Sequence, residues 1–222
     1  MAYPIPAYIF LGLFAVASII QLIFAFIENQ RLRRKEKFLC LLMLGLAAVF
    51  AFPNEPLIYV GAFLGMIGDI LVLRSKTFKI GTLAFLLGHL CYIFEALWRI
   101  VGFENLLWWH PVVIVCSFIA IFIAMALICK FRTKHTNLDV FGQSIYFSVQ
   151  VAYLPIFIIA MSIVGSYMYL SLIGACLFII SDAILVQNHF GKKWKRYDFY
   201  IMLTYLLAEL LIILGFALTL VR

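Results

Sequence analysis

GAFLGMIGDILVLRSKTFKIGTLAFLLGHLCYIFE, from Gly61 to Glu95, sets a carboxylate, Asp69, inside a run that otherwise reads as lipid-embedded helix. A charged side chain in hydrocarbon costs about 2.5 to 3.5 kcal/mol on insertion scales, and such residues usually face a bundle interior or a water-filled cavity. Asp69 is therefore a candidate functional residue. The stretch is echoed by GACLFIISDAILV, from Gly174 to Val186, which carries Asp182 at the same distance from its leading Gly-Ala. From each Asp a Tyr follows 23 positions later, Tyr92 and Tyr205. The echo reads as an internal repeat of a helix pair.

The rest of the chain is of the same character. Its 222 residues are 66% hydrophobic and 12% charged, with a mean hydropathy of +1.12, far from the quarter of charged residues usual in soluble domains. This is the composition of an integral membrane protein, expected as a single transmembrane domain over 1–222 with no soluble appendage. The first apolar run lacks a basic leader and a small-residue cleavage site, so it reads as a retained span. Cys40, Cys91, Cys116, Cys129 and Cys176 are scattered, without metal-ligand spacing, and read as small hydrophobic filler.

Apolar runs long enough to cross a bilayer, about 17 to 25 residues each, lie near 5–27, 38–54, 56–73, 80–100, 110–129, 140–162, 167–186 and 198–220. The expected fold is all-α and polytopic, with eight transmembrane helices. The second is the shortest, its end bracketed by Pro53 and Pro56; were it not to cross, every later orientation would invert. Basic residues mark cytoplasmic loops. They follow helix 1 (Arg31, Arg33, Arg34, Lys35, Lys37), helix 3 (Arg74, Lys76, Lys79), helix 5 (Lys130, Arg132, Lys134) and helix 7 (Lys192, Lys193, Lys195, Arg196). Only Arg99 and Arg222 are left for the other side, so both termini are expected outside the cytoplasm. The net charge of +7 is then explained by loops resting on anionic headgroups of membrane lipids, with no nucleic acid involved.

With helices 3 and 7 running the same way, helices 3–4 and 7–8 form two parallel repeats rather than inverted ones. Asp69 precedes Arg74 by five residues and Asp182 precedes Gln187 by five, which places each about 7 to 8 Å inside the cytoplasmic boundary. Gly61, Gly65 and Gly68 share a face of helix 3, best read as packing. On helix 4, Phe85, His89, Tyr92 and Arg99 share a face; on helix 8, Asp198, Tyr205 and Glu209 do. His89 and Glu209 fall near mid-membrane. Helix 6 offers Gln143, Tyr146, Gln150 and Tyr153, a stripe that either bonds neighbouring helices or lines a cavity, beside Pro155, which is expected to kink the helix. Glu95 and Arg99 read as an interfacial ion pair without chemistry, and His110 as part of an aromatic belt; His135 and His189 in the basic loops are given no role.

Asp69, Asp182, His89, Tyr92, Tyr205 and Glu209 thus make an acid-rich set, expected to have no Lys or Arg within the inner half of any span to neutralise it. Two carboxyl groups close together in a low dielectric cannot both ionise cheaply, so at least one carries a proton. Such a pair suits general acid catalysis, one group donating a proton while the other activates water or steadies a cation. A zinc hydrolase would want about three ligands, typically His-rich, and only His89 lies within the membrane. No phosphate loop or dinucleotide fingerprint occurs, and Ser181, beside Asp182, points another way on its helix. Neither a metal nor a cofactor is expected.

Gly68-Asp69-Ile70-Leu71, Gly88-His89-Leu90-Cys91-Tyr92, Phe178-Ile179-Ile180-Ser181-Asp182 and Tyr205-Leu206-Leu207-Ala208, in this order over essentially the whole chain, resemble the lysoplasmalogenase, or YhhN-like, family of eight-span membrane proteins. At Glu209 the chain departs from the family pattern, which has Gln after Tyr-x-x-Ala. The resemblance implies hydrolysis of the vinyl ether bond of a lysophospholipid substrate, a lysoplasmalogen, to a fatty aldehyde and a glycerophospho-headgroup. It implies Asp69 and Asp182 as acid and base, in an order left open, with His89, Tyr92, Tyr205, Glu209, Tyr146 and Gln150 orienting them or the substrate. Two other readings remain. One is a proton-coupled transporter, which would show polar residues on both sides of the midplane; the other is a lipid-binding protein whose acids only hold the repeats together.

Overall fold

A computed structural model describes the backbone of residues 3–74, 76–102, 107–132, 137–190 and 195–220, and their side chains except 30–36, 124–141, 186, 189–190 and 220. The side chains of Arg31, Arg33, Arg34, Lys35, Lys130, Arg132, Lys134, His135, His189, Lys192, Lys193 and Arg222, and that of Cys129, lie outside the described residues. The described residues form eight helices and no strand. In order these are α1 (Ile5–Phe26), α2 (Gln30–Ala51), α3 (Pro56–Leu71), α4 (Phe78–Val101), α5 (Trp109–Arg132), α6 (Asn137–Ile163), α7 (Met168–Phe190) and α8 (Tyr197–Leu220). Among the described residues, five stretches are long and apolar enough to cross a bilayer: Ile5–Phe26, Phe78–Val101, Gly142–Ile163, Met168–Leu185 and Tyr197–Thr219. Lys37–Ala51, Pro56–Leu71 and Trp109–Ile123 are shorter apolar stretches. The chain is an integral membrane protein.

One boundary differs from expectation in a way that matters. Helix α2 begins at Gln30, eight residues before the expected start, because Arg, Lys, Glu and Gln are strong helix formers and nothing breaks the run. The turn before it is closed by Glu28, in left-handed conformation at φ 57°. Asn29 N–H reaches Phe24 O at 3.0 Å and Glu28 N–H reaches Ala25 O at 3.3 Å, the paired bonds of a Schellman ending. Lys37 therefore stands two turns inside a helix rather than in a loop. It is in phase with Leu41, Leu44 and Ala48, all buried, on the face that meets the rest of the bundle. Helix α6 runs on through Pro155.

Helices α1, α2, α3, α4, α6, α7 and α8 pack each against the next, and α8 closes on α1. The result is a ring of seven helices, with α5 packed on α6. Outward faces carry large apolar side chains such as Ile9, Val16, Leu83, Phe94 and Ile180, as a lipid-facing surface requires. Inside the ring an aromatic column runs along the axis. Tyr205 meets Phe85 and Phe178 edge-on at 6.0 and 5.3 Å between ring centroids, and Phe157 meets Phe216 at 6.0 Å.

At one end the ring is tied shut by charge. Arg99 bonds Glu95 at 2.9 Å, the Phe216 carbonyl at 3.0 Å, Thr219 and Glu55, with its guanidinium 4.8 Å from the Phe216 ring centroid. The Glu95–Arg99 pair is thus part of a larger, buried cluster that joins the start of α3 to the ends of α4 and α8. Tyr3 adds a bond to the Ala217 carbonyl. His110 accepts a bond from the Leu107 N–H at 3.0 Å and its ring lies tilted against that of Trp109, 3.9 Å between centroids, at the start of α5.

Candidate functional site

Toward the other end of the ring, polar groups from six helices converge. Asp69, two residues before the end of α3, is almost wholly buried, and Lys37 Nζ of α2 lies 2.8 Å from its Oδ1. Here the structure corrects the expectation that no basic residue neutralises the acids. Lys37 also lies 5.9 Å from the centroid of the Tyr205 ring, a cation–aromatic arrangement. The Tyr205 hydroxyl sits beside Asp69 and Glu209.

Asp182 of α7 is served by α6 instead. Tyr146 and Gln150, one helical turn apart, both donate hydrogen bonds to its Oδ2. Asp69 and Lys37 lie within electrostatic reach of Asp182, so the two Asp share one electrostatic environment with different partners. One is matched by a cation, the other by neutral donors. Ser181 bonds the Ile201 carbonyl at 3.2 Å and takes no part.

His89 of α4 links this group inward. Its Nε2 is 3.2 Å from Gln150 Nε2 and its Nδ1 is 2.9 Å from the Tyr153 hydroxyl. Its ring packs edge-on against Phe178 at 4.4 Å. Deeper still, Tyr92 donates to Glu209 Oε2 at 2.7 Å. The helix 6 stripe thus bonds neighbouring helices through Tyr146, Gln150 and Tyr153. The sequence places Tyr153 in that stripe without giving it a site role; its place against His89 is set by how α4 and α6 are rotated on each other.

The glycines of α3 do more than bring backbones together. A Cβ on Gly61 would lie 2.7 Å from the Tyr92 ring. One on Gly65 would lie 2.8 Å from Leu41 and 3.3 Å from both Glu209 Oε1 and the Tyr205 hydroxyl. Contacts under about 3.4 Å force neighbours aside, so the missing side chains are the space that Tyr92, Tyr205 and Glu209 occupy. Among the described residues no three His, Cys, Asp or Glu side chains are grouped as metal ligands.

Among the described residues, one cation, Lys37, thus pairs with Asp69 and reaches Asp182, while Glu209 is near both acids, in a buried interior of hydroxyl, amide and imidazole groups. Such a site can hold protons at low cost and deliver one to a bound substrate. Lys37 was missed because its charge placed it in a loop; the signal that finds it is its phase with Leu41, Leu44 and Ala48. No curated protein and no solved structure matches the chain. Residues 37–216 match the YhhN family, and the chain belongs to it.

Proposed function

We propose that this member of the YhhN family is a membrane-embedded hydrolase that cleaves the vinyl ether bond of lysoplasmalogens by carboxyl acid–base catalysis. The observation that carries the reading is the unequal matching of two buried Asp residues, Asp69 by the Lys37 cation and Asp182 by the neutral donors Tyr146 and Gln150. With three buried carboxyls against one cation, separation of charge in a low dielectric favours one ionised carboxylate, at Asp69, and protons on the others. Asp182 takes both donors on Oδ2, which leaves Oδ1 to carry its proton.

In this reading Asp182 gives its proton to the carbon of the vinyl ether remote from oxygen, forming an oxocarbenium ion. Asp69 steadies that cation and takes a proton from water as the water adds to the carbon next to oxygen, in the way carboxylates share roles in glycoside hydrolysis. The hemiacetal collapses to a fatty aldehyde and the glycerol hydroxyl, and the proton returns to Asp182. One water is consumed, and no electron donor is needed. His89, Tyr92, Tyr205 and Glu209 position these groups and the substrate.

The reading includes eight spans in one domain, with α3–α4 and α7–α8 as parallel repeats and the basic loops on the cytoplasmic side, so that the headgroup rests at that interface. The transport alternative is disfavoured by the Arg99, Glu95 and Glu55 cluster that fills the opposite end of the ring. The test is aldehyde release from lysoplasmenyl-ethanolamine by the purified protein, with the saturated 1-O-alkyl lipid as control. Release from the first alone supports the reading; release from neither refutes it.

A further inference from the structure

The amide of Gln150 is held entirely by its nitrogen. Nε2 donates to Asp182 Oδ2 and lies 3.2 Å from His89 Nε2 and 3.5 Å from the Tyr146 hydroxyl. That His89 Nε2 is an acceptor follows from Tyr153. The Tyr153 hydroxyl lies 3.2 Å from the His89 carbonyl, to which it can only donate, and with its one proton assigned there it accepts from His89 Nδ1–H at 2.9 Å. His89 therefore carries its proton on Nδ1 and presents a lone pair at Nε2. Asp182 Oδ2 also accepts from Tyr146 and is no donor.

Turning the amide over would set Gln150 Oε1 against two acceptors. With this tautomer the amide keeps its nitrogen, not its oxygen, toward Asp182 and His89. Gln150 is fully buried, yet Oε1 receives no hydrogen bond from the protein. A buried carbonyl left so is destabilising, and the His89–Tyr153 pair holds it there. This is a prearranged acceptor one amide away from the proposed acid.

We propose that Gln150 Oε1 accepts the hydrogen bond of the substrate's free glycerol hydroxyl and so selects lysolipids. The inference rests on the proposed function for its substrate and adds the residue that reads it. In a lysoplasmalogen the hydroxyl is separated from the ether oxygen by two carbons, so a group bonded to Asp182 through its amide nitrogen can reach that hydroxyl with its oxygen. An acylated glycerol has no proton to offer there and leaves the carbonyl unmatched. Sites built to bond a hydroxyl reject analogues lacking it far more strongly than apolar pockets reject an extra methylene.

The test is binding of a saturated 1-O-alkyl lysophospholipid, which cannot react, against its 2-deoxy analogue, to the full-length protein in detergent and to Gln150→Leu. The native protein is expected to prefer the hydroxyl ligand by about 10- to 100-fold, and Gln150→Leu by less than about 3-fold. The inference is overturned if native protein binds both ligands alike, or if Gln150→Leu keeps the native preference, as it would were Oε1 only ordering a water. Should Gln150→Leu not fold, Gln150→Met, which also lacks the carbonyl, takes its place, and no hydroxyl preference in the native protein overturns the inference by itself. Because the ligands are unreactive, the two failures separate. Preference without aldehyde release from the vinyl ether lipid removes the proposed reaction and keeps this inference; release without preference does the reverse.

Discussion

Lys37 Nζ and Asp69 Oδ1 lie 2.8 Å apart inside the helix ring, with Lys37 only 8% exposed. The pair joins α2 to α3 and supplies the one cation found among the site's described residues. Breaking a buried pair from one side leaves an uncompensated charge, at a cost of about 3 to 5 kcal/mol. Lys37→Met is therefore expected to lower the thermal midpoint sharply in detergent. Adding Asp69→Asn to it should recover a large part of that loss, because the unpaired carboxylate is gone. Differential scanning of the two singles and the double measures the coupling, and simple additivity would count against the pair.

The bed of α3 gives a second prediction. Gly65→Ala drives a methyl group against Leu41, Glu209 and Tyr205, and overpacking of this kind costs about 1 to 3 kcal/mol. Aldehyde release should fall by about tenfold or more, since each 1.4 kcal/mol of lost positioning is about tenfold in rate. Gly12→Ala, with nothing within 4 Å of the new methyl, is expected to keep full activity and gain a few tenths of a kcal/mol or more from helix propensity. Equal effects at the two positions would contradict the space argument.

Much of this was legible before any coordinates. Polar atoms in hydrocarbon must turn inward, so Asp69, Asp182, His89, Tyr92, Tyr205, Glu209, Tyr146 and Gln150 could be gathered from their positions in apolar runs, and all of them converge in the ring interior. Their pairings were not legible. Glu209 takes Tyr92, and Asp182 takes α6 rather than α3 or α4, because helix rotation and register are set by side-chain packing between elements distant in sequence. The start of α2 was missed for a different reason. Charge was read as loop, whereas a helix can carry a basic first turn and still bury the lysine that faces inward.

Glu209, where the family resemblance leads one to expect Gln, accepts a hydrogen bond from the Tyr92 hydroxyl. A Gln carbonyl accepts that bond equally well. Glu209→Gln is expected to retain aldehyde release within about threefold, which is under about 1 kcal/mol. Tyr92→Phe, which leaves Glu209 without its donor, should cost about 1 to 3 kcal/mol of stability. Steady-state kinetics with thermal scanning separates the two; a large kinetic loss in Glu209→Gln would instead make that carboxyl part of the chemistry.

Arg99 holds the far end through Glu95, Glu55, Thr219 and the Phe216 carbonyl. Arg99→Met should destabilise the fold by about 3 to 5 kcal/mol while the folded fraction keeps its KM. A changed KM at unchanged stability would place substrate at that end of the ring and revive the transport reading.

The measurement that bears most directly on the central claim is single-turnover aldehyde release from lysoplasmenyl-ethanolamine by the native protein, Asp69→Asn and Asp182→Asn, each shown folded by its thermal transition. The account predicts that native protein releases aldehyde, that either Asn variant loses at least about 100-fold of the rate, and that in D2O the native product carries one deuterium on the carbon next to the aldehyde. Full activity in both Asn variants, or no aldehyde from the native protein, would contradict it.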